Sequence, residues 1–128
     1  MGPFGPSGMN GDSMRKFDTH RIGVDQGEAV LFEAFEDDGE MWAGEGPRLH
    51  RTPVVFAEGF AAQPAVTVGL AMWDMSNGSN MRADVRAENV TPTGFDIAFR
   101  TWGDTRVARV RVSWQAIGPV NDDEAWDI

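Results

Sequence analysis

Across residues 81–116 the apolar side chains recur at every second position, and this period constrains the fold more than any other feature. Met81, Ala83, Val85 and Ala87 alternate with Arg82, Asp84, Arg86 and Glu88. A strand turns successive side chains to opposite faces, so this segment buries one face and wets the other. Phe95, Ile97 and Phe99 resume the pattern against Asp96, Arg100 and Trp102. Between them, Pro92 and Gly94 bracket Thr93, which is turn chemistry, so the two runs are read as consecutive antiparallel strands. Beyond Gly103 and Asp104 a further run sends Ala108, Val110, Val112, Trp114 and Ala116 inward and Arg109, Arg111, Ser113 and Gln115 outward. Behind Pro64, Val66, Val68, Leu70 and Met72 alternate with Thr67, Gly69, Ala71 and Trp73. Residues 20–24, 29–35 and 48–56 are shorter strand candidates separated by Gly, Pro and Asp.

No segment carries a helical period, so the expected class is all-β, an antiparallel β-sandwich of about six strands. Such sandwiches need about 100 residues, which a chain of 128 supplies as one domain. Residues 1–16, with Gly and Pro and little to bury, read as a flexible leader. Residues 17–118 read as the domain, and residues 119–128 as an acidic tail whose large apolar group is Trp126.

Several chemistries are excluded. With no Cys there is no disulfide scaffold, thiolate metal site or Cys nucleophile. His20 and His50 are the two histidines and stand in ordinary polar settings, so neither a zinc site nor a cofactor is expected. The nucleophile-elbow, dinucleotide, P-loop, HExxH and EF-hand patterns are missing. The run Glu36, Asp37, Asp38, Glu40 reads as a hydrated loop rather than a calcium site. A formal charge of −9 repels phosphate backbones, so neither nucleic acid nor an anionic membrane is an expected partner. No stretch approaches the ~18 apolar residues of a membrane span, and no secretory signal is read at the start.

Two features of the wet face stand apart. Arg86, Arg100, Arg109 and Arg111, with Arg82, Asp84, Glu88 and Asp96, are expected to crowd one sheet surface. Arg forms planar, multi-donor contacts that Lys does not, which points to a subunit interface built from paired charges. Trp102, beside a glycine turn instead of in the alternating core, is the second. An exposed indole among Arg and Asp groups suits a sugar, since the ring covers a C–H face while the charged groups bind hydroxyls.

Residues 64–118 resemble the H-type lectin domain, the family of snail agglutinins and of the C-terminal half of the slime-mould discoidins. The resembling marks are Pro64-x-Val66-x-Val68-Gly69-Leu70, Asp74, Asn80-Met81-Arg82, Asn89-Val90-Thr91 with Thr93-Gly94-Phe95, Thr101-Trp102 with Asp104-Thr105, and Val112-Ser113-Trp114 with Ala116-Ile117-Gly118. Phe56 and Phe60 fit the family's preceding strand. The resemblance implies a six-stranded sandwich that assembles into trimers, sometimes stacked as hexamers, binding N-acetylgalactosamine-type sugars at clefts between protomers and catalysing nothing. The strand arginine of the family site falls on Arg82 and the aromatic on Trp102. The neighbouring family histidine is replaced by Gly103, a later tyrosine by Ala108, and the N-terminal loop acid is matched by Glu45.

The leading expectation is therefore a multivalent lectin for N-acetylgalactosamine or galactose-like glycans, or a bacterial surface polysaccharide, with Arg82, Trp102, Glu45 and Gly103 at the site and a homotrimer, or hexamer, as its assembly. The alternative is a structural trimerisation or attachment module of a larger fibre or spike. A polysaccharide hydrolase using Glu36, Asp38 or Glu45 ranks third. An extracellular or surface role follows from the resemblance, with no signal peptide to carry it. The charge also divides unevenly: residues 15–117 hold 15 acids against 11 bases, so the domain itself is nearly balanced.

Overall fold

The computed structural model describes residues 14–33 and 39–121. Within them the order is β1 (Ile22–Glu33), α1 (Glu40–Ala43), β2 (Arg48–Val55), β3 (Ala65–Met75), β4 (Asp84–Thr91), β5 (Gly94–Thr101) and β6 (Val107–Pro119). The strands form two antiparallel three-stranded sheets, one ordered β1-β6-β3 and the other β2-β5-β4. The β4–β5 hairpin lies where the alternation placed it. Thr91 Oγ1 accepts from the amides of Thr93 and Gly94 at 3.2 Å, closing the turn.

The inward residues of the two central strands make the core. Phe95, Ile97 and Phe99 of β5 and Val110, Val112 and Ala116 of β6 are buried, each large side chain contributing about 2 kcal/mol. Edge-on aromatic pairs knit the sheets, Phe95 to Trp114 at 5.5 Å and Phe32 to Phe99 at 5.6 Å, and Phe56 meets Phe60 at 5.0 Å within the β2–β3 connection.

Three expectations are corrected. Residues 20–24 and 29–35 do not form separate strands, because β1 runs unbroken through Gly27. Gly27 stands opposite Trp114, and a Cβ there would lie 3.0 Å from the indole, so the glycine is a packing requirement rather than a break. In β3 a register shift between Leu70 and Met72 inserts one residue. The slip moves Met72 opposite outward Arg111 and sets Trp73 opposite buried Val110, reversing the simple alternation. Trp73 stays 55% exposed at the open edge of the sandwich, beside Leu70, Met75, Met81 and Ala83.

The third correction concerns the arginines. β5 is followed in sequence by β6, yet the chain crosses to the other sheet between them. Arg86 and Arg100 therefore share the outer face of β2-β5-β4 with Asp84, Glu88 and Asp96, whereas Arg109 and Arg111 lie on the opposite side of the molecule. The dense face predicted from alternation is two faces, because a period of two fixes inward and outward without saying to which sheet a strand belongs.

Candidate functional site

The turn between β5 and β6 is fastened from below by a cation that the sequence reading passed over. Arg48, the first residue of β2, is only 4% exposed. Its Nε donates to the Gly46 carbonyl at 2.9 Å, its Nη1 to the carbonyls of Met41 and Glu40 at 3.2 and 3.4 Å, and its Nη2 to the Gly103 carbonyl at 3.1 Å. A guanidinium buried without a carboxylate is tolerable where main-chain oxygens take its donors, and here they belong to the first two residues of α1 and to two loops. The Gly46 amide donates to the same Gly103 carbonyl at 3.0 Å. Glu45, exposed beside Gly46, is thereby carried to the Gly103 turn of its own chain. The signal for Arg48 was its parity, since it is in phase with the inward His50, Thr52 and Val54 of β2.

Two buried hydroxyls place Arg82 above that turn. Thr105 Oγ1 accepts from the Arg82 amide at 3.1 Å and donates to the Asn80 carbonyl at 2.6 Å. Thr101 Oγ1 donates to the Arg82 carbonyl at 2.6 Å. With its backbone held at both ends, Arg82 extends Nη1 to within 2.7 Å of Asp104 Oδ1. It passes over Gly103, whose φ is +70°, and a Cβ there would meet Nη1 at 2.9 Å. Gly103 is thus required twice, for its left-handed backbone and for the room it leaves. Asn80 Nδ2 reaches Asp104 Oδ1 at 3.5 Å, and the Arg82 hydrogen bond, with lesser backbone donations from Asp104 and Asn80, holds the Asp104 carboxyl below its ordinary pKa.

Trp102 completes the corner. It is 44% exposed and borders a groove of about 240 Å³ with Pro47, Leu49 and Arg100. A half-open indole, a guanidinium held in place and two carboxylates are what a polyol needs, apolar cover for C–H groups and fixed partners for hydroxyls. The Arg82 guanidinium lies over Gly103, the residue after Trp102, and the Gly46 amide ties the Glu45 loop to the same Gly103, whereas the groove that Trp102 borders is lined from the β2 side. Ala108 is buried within β6 and is not part of this surface.

The expected interface residues are already paired within one chain. Arg100 Nη2 lies 2.8 Å and Arg51 Nη2 3.0 Å from Glu88, and Arg86 Nε lies 3.0 Å from Asp84. The two arginines hold the Glu88 carboxyl below its ordinary pKa, mainly through their hydrogen bonds. Asp96 accepts from Asn89 Nδ2 at 2.9 Å. On the other sheet Arg109 stands 3.4 Å from Asp74, and Arg111 3.6 Å from Glu28. Among the described residues no three metal-ligating side chains converge. Glu36, Asp37, Asp38 and Trp126 lie outside the described residues.

Known proteins share this architecture. A protein of Fuscovulum blasticum described as "ATP synthase subunits region ORF 7" is 59% identical over 107 residues, 84% of this chain and 93% of that one. Discoidin-2 of Dictyostelium discoideum is 31% identical over 81 residues, 62% of this chain, and the match spans 32% of its own length. In three dimensions, recombinant discoidin II of Dictyostelium discoideum superposes with a TM-score of 0.70 at 26% identity, covering 84% of this chain and 41% of that chain. The chain thus spans well under half the length of the discoidins it matches. The sequence profile of the H-type lectin domain matches residues 51–117, which take in β3 to β5, most of β2 and β6, and the whole Arg82–Asp104 corner, so the chain belongs to the H-type lectin domain family.

Proposed function

We propose that this protein is a carbohydrate-binding module, without enzymatic activity, that takes a glycan on Trp102 and Arg82 and multiplies weak single contacts by self-association as a trimer. The observation that carries the reading is the half-exposed Trp102 followed by Gly103, over which runs an arginine whose backbone is clamped by Thr101 and Thr105. Stacking on an indole is tolerant of which sugar is bound, whereas a fixed guanidinium discriminates hydroxyl positions; the pair supplies affinity and direction together. Galactose and N-acetylgalactosamine head the candidates, with bacterial surface polysaccharide next. A glycan array read with the purified protein and with Trp102→Ala tests this: binding lost in the variant supports it, and binding to no glycan, or binding indifferent to the substitution, overturns it.

The second reading is a trimerisation or attachment module that has given up sugar binding. It is favoured by Gly103, which presents no side chain where the family resemblance expects a histidine, and by the burial of Ala108. It predicts an oligomer that retains no glycan on the same array.

A further inference from the structure

We infer that Asp104 is the specificity-determining residue of the Trp102 corner: as the fixed counter-ion of Arg82 it decides whether the site takes a neutral or an anionic glycan. The inference rests on the proposed sugar-binding role of the corner and adds to it the residue that sets ligand charge. Arg82 has five N–H donors, and one of them, on Nη1, is given to Asp104 at 2.7 Å. Nε and Nη2 have no hydrogen-bond partner among the described residues, and the side chain is 34% exposed, so it still has donors for a ligand. What it lacks is unbalanced charge. Asp104 is 59% exposed, is aimed by Asn80 as well as Arg82, and lies against the same face a ligand on Arg82 approaches.

The neighbouring cations do not replace that charge. Arg48 is buried with its donors on four carbonyls, and Arg100 is matched by Glu88 at 2.8 Å and by Asp84 at 4.0 Å. Exposed Glu45 adds a second negative group at the Gly103 turn. A carboxylate or sulfate on the ligand therefore meets Asp104 and Glu45 along with Arg82, whereas hydroxyls meet donors and acceptors in fixed positions. Arg106, exposed two residues past Asp104, is the remaining cation of the turn and serves as the control.

The test compares matched neutral and acidic glycans, galactose against galacturonate and against sulfated galactose within one array, for the wild type, Asp104→Asn, Asp104→Ser and Arg106→Gln. Asn keeps an acceptor for Arg82 and Ser leaves it bare; both remove the charge. The wild type is expected to retain neutral glycans only, and the two Asp104 variants to gain on the order of tenfold in affinity for the acidic partners. That gain shrinks as salt rises from about 50 to about 500 mM, and the Arg106 variant shows none of it. Acidic glycans bound by the wild type as well as neutral ones, or folded Asp104 variants without the gain, overturn the inference and leave the sugar-binding role standing. No glycan bound by any form overturns that role and the inference with it.

Discussion

Arg48 Nη2 donates at 3.1 Å to the carbonyl of Gly103, joining positions 55 residues apart in sequence. Three other carbonyls share the same guanidinium, so one side chain holds α1, the Glu45 loop and the Trp102 turn in a single arrangement. Replacing it by Met keeps much of the volume and strands four buried or half-buried acceptors. Hydrogen bonds from a charged donor are worth about 1.5–3 kcal/mol each where no water replaces them, and water re-enters at this rim, so Arg48→Met is expected to lower unfolding stability by about 3 kcal/mol. Urea denaturation measures it; a loss under about 1 kcal/mol refutes the buried-clamp role.

Gly27 gives the second prediction. Its missing Cβ leaves room for the Trp114 indole, which sits 3.0 Å from where that atom would be. Gly27→Val forces a branched side chain against a ring already packed on Phe95 and Phe56, and β1 and β6 must part or the ring must turn. Overpacking of this kind costs about 1–3 kcal/mol, and the near-ultraviolet circular dichroism of the tryptophans should change with it. Unchanged stability and spectrum would mean that the ring has a second rotamer available.

This glycine also shows where the sequence was readable and where it was not. Alternation along residues 81–116 located β5 and β6, where one face lies in the core and the period holds, but set β4 three residues early: Met81 and Ala83, read as inward strand positions, are exposed and precede β4, which runs on through a register shift to Thr91. It failed at Gly27, since a glycine between two strand-like runs looks the same whether it ends a strand or admits a ring from another one. It failed at residues 71–73, where one inserted residue set Met72 opposite outward Arg111 and Trp73 opposite buried Val110 while leaving Trp73 exposed. It could not tell that Arg100 and Arg109 lie on different sheets, which depends on a crossover and leaves no trace in the period. Of the corner, Trp102 was singled out by its place beside a glycine turn and Arg82, Gly103 and Glu45 were proposed from the family resemblance, while Arg48 was missed because a charged residue opening a strand is read as solvated.

Acid should weaken two carboxylate–arginine pairs, Glu88 on the outer face of the β2-β5-β4 sheet and Asp104 in the turn between β5 and β6. Glu88 is held below its ordinary pKa of 4.5 by Arg51 and Arg100, and Asp104 below its ordinary 3.8 by Arg82. Folded pKa values below the unfolded ones mean that the folded state binds fewer protons, so these groups stabilise the protein above the unfolded pKa values and lose that contribution as pH falls through the lowered ones. Stability should be level from pH ~7 to ~5.5 and decline below about 4.5, and Glu88→Gln should flatten that decline. Thermal melts of both proteins across this range check the sign, since an equal slope in the variant would assign the acid sensitivity elsewhere.

The last prediction concerns self-association. The ion pairs on the outer face of β2-β5-β4 close within one chain, Arg51 and Arg100 on Glu88 and Arg86 on Asp84, so no partner is needed to satisfy them. The outer face of β1-β6-β3 differs: Ile22, Val24 and Val30 of β1 and Ile117 of β6 are exposed there, and Val24 stands opposite Ile117 in register. Between them a shallow trough of about 710 Å³ runs over Gly69 and Ser113, with Gln26, Gln115 and Thr67 at its walls. Exposed aliphatics beside a depression are what an interface presents, and the ion pairs of Arg109 with Asp74 and Arg111 with Glu28 border the same face as a polar rim. If the chain forms the proposed trimer, Val24→Glu combined with Ile117→Glu is expected to reduce it to monomers by sedimentation, whereas Arg86→Gln with Arg100→Gln is expected to leave the assembly size unchanged. The opposite outcome would return the interface to the face carrying Asp84 and Asp96, and a wild type that sediments as a monomer would overturn the proposal itself. On the proposed multivalent reading, a monomeric variant should also show an apparent glycan affinity lower by about 10²-fold or more, since each site would then act alone.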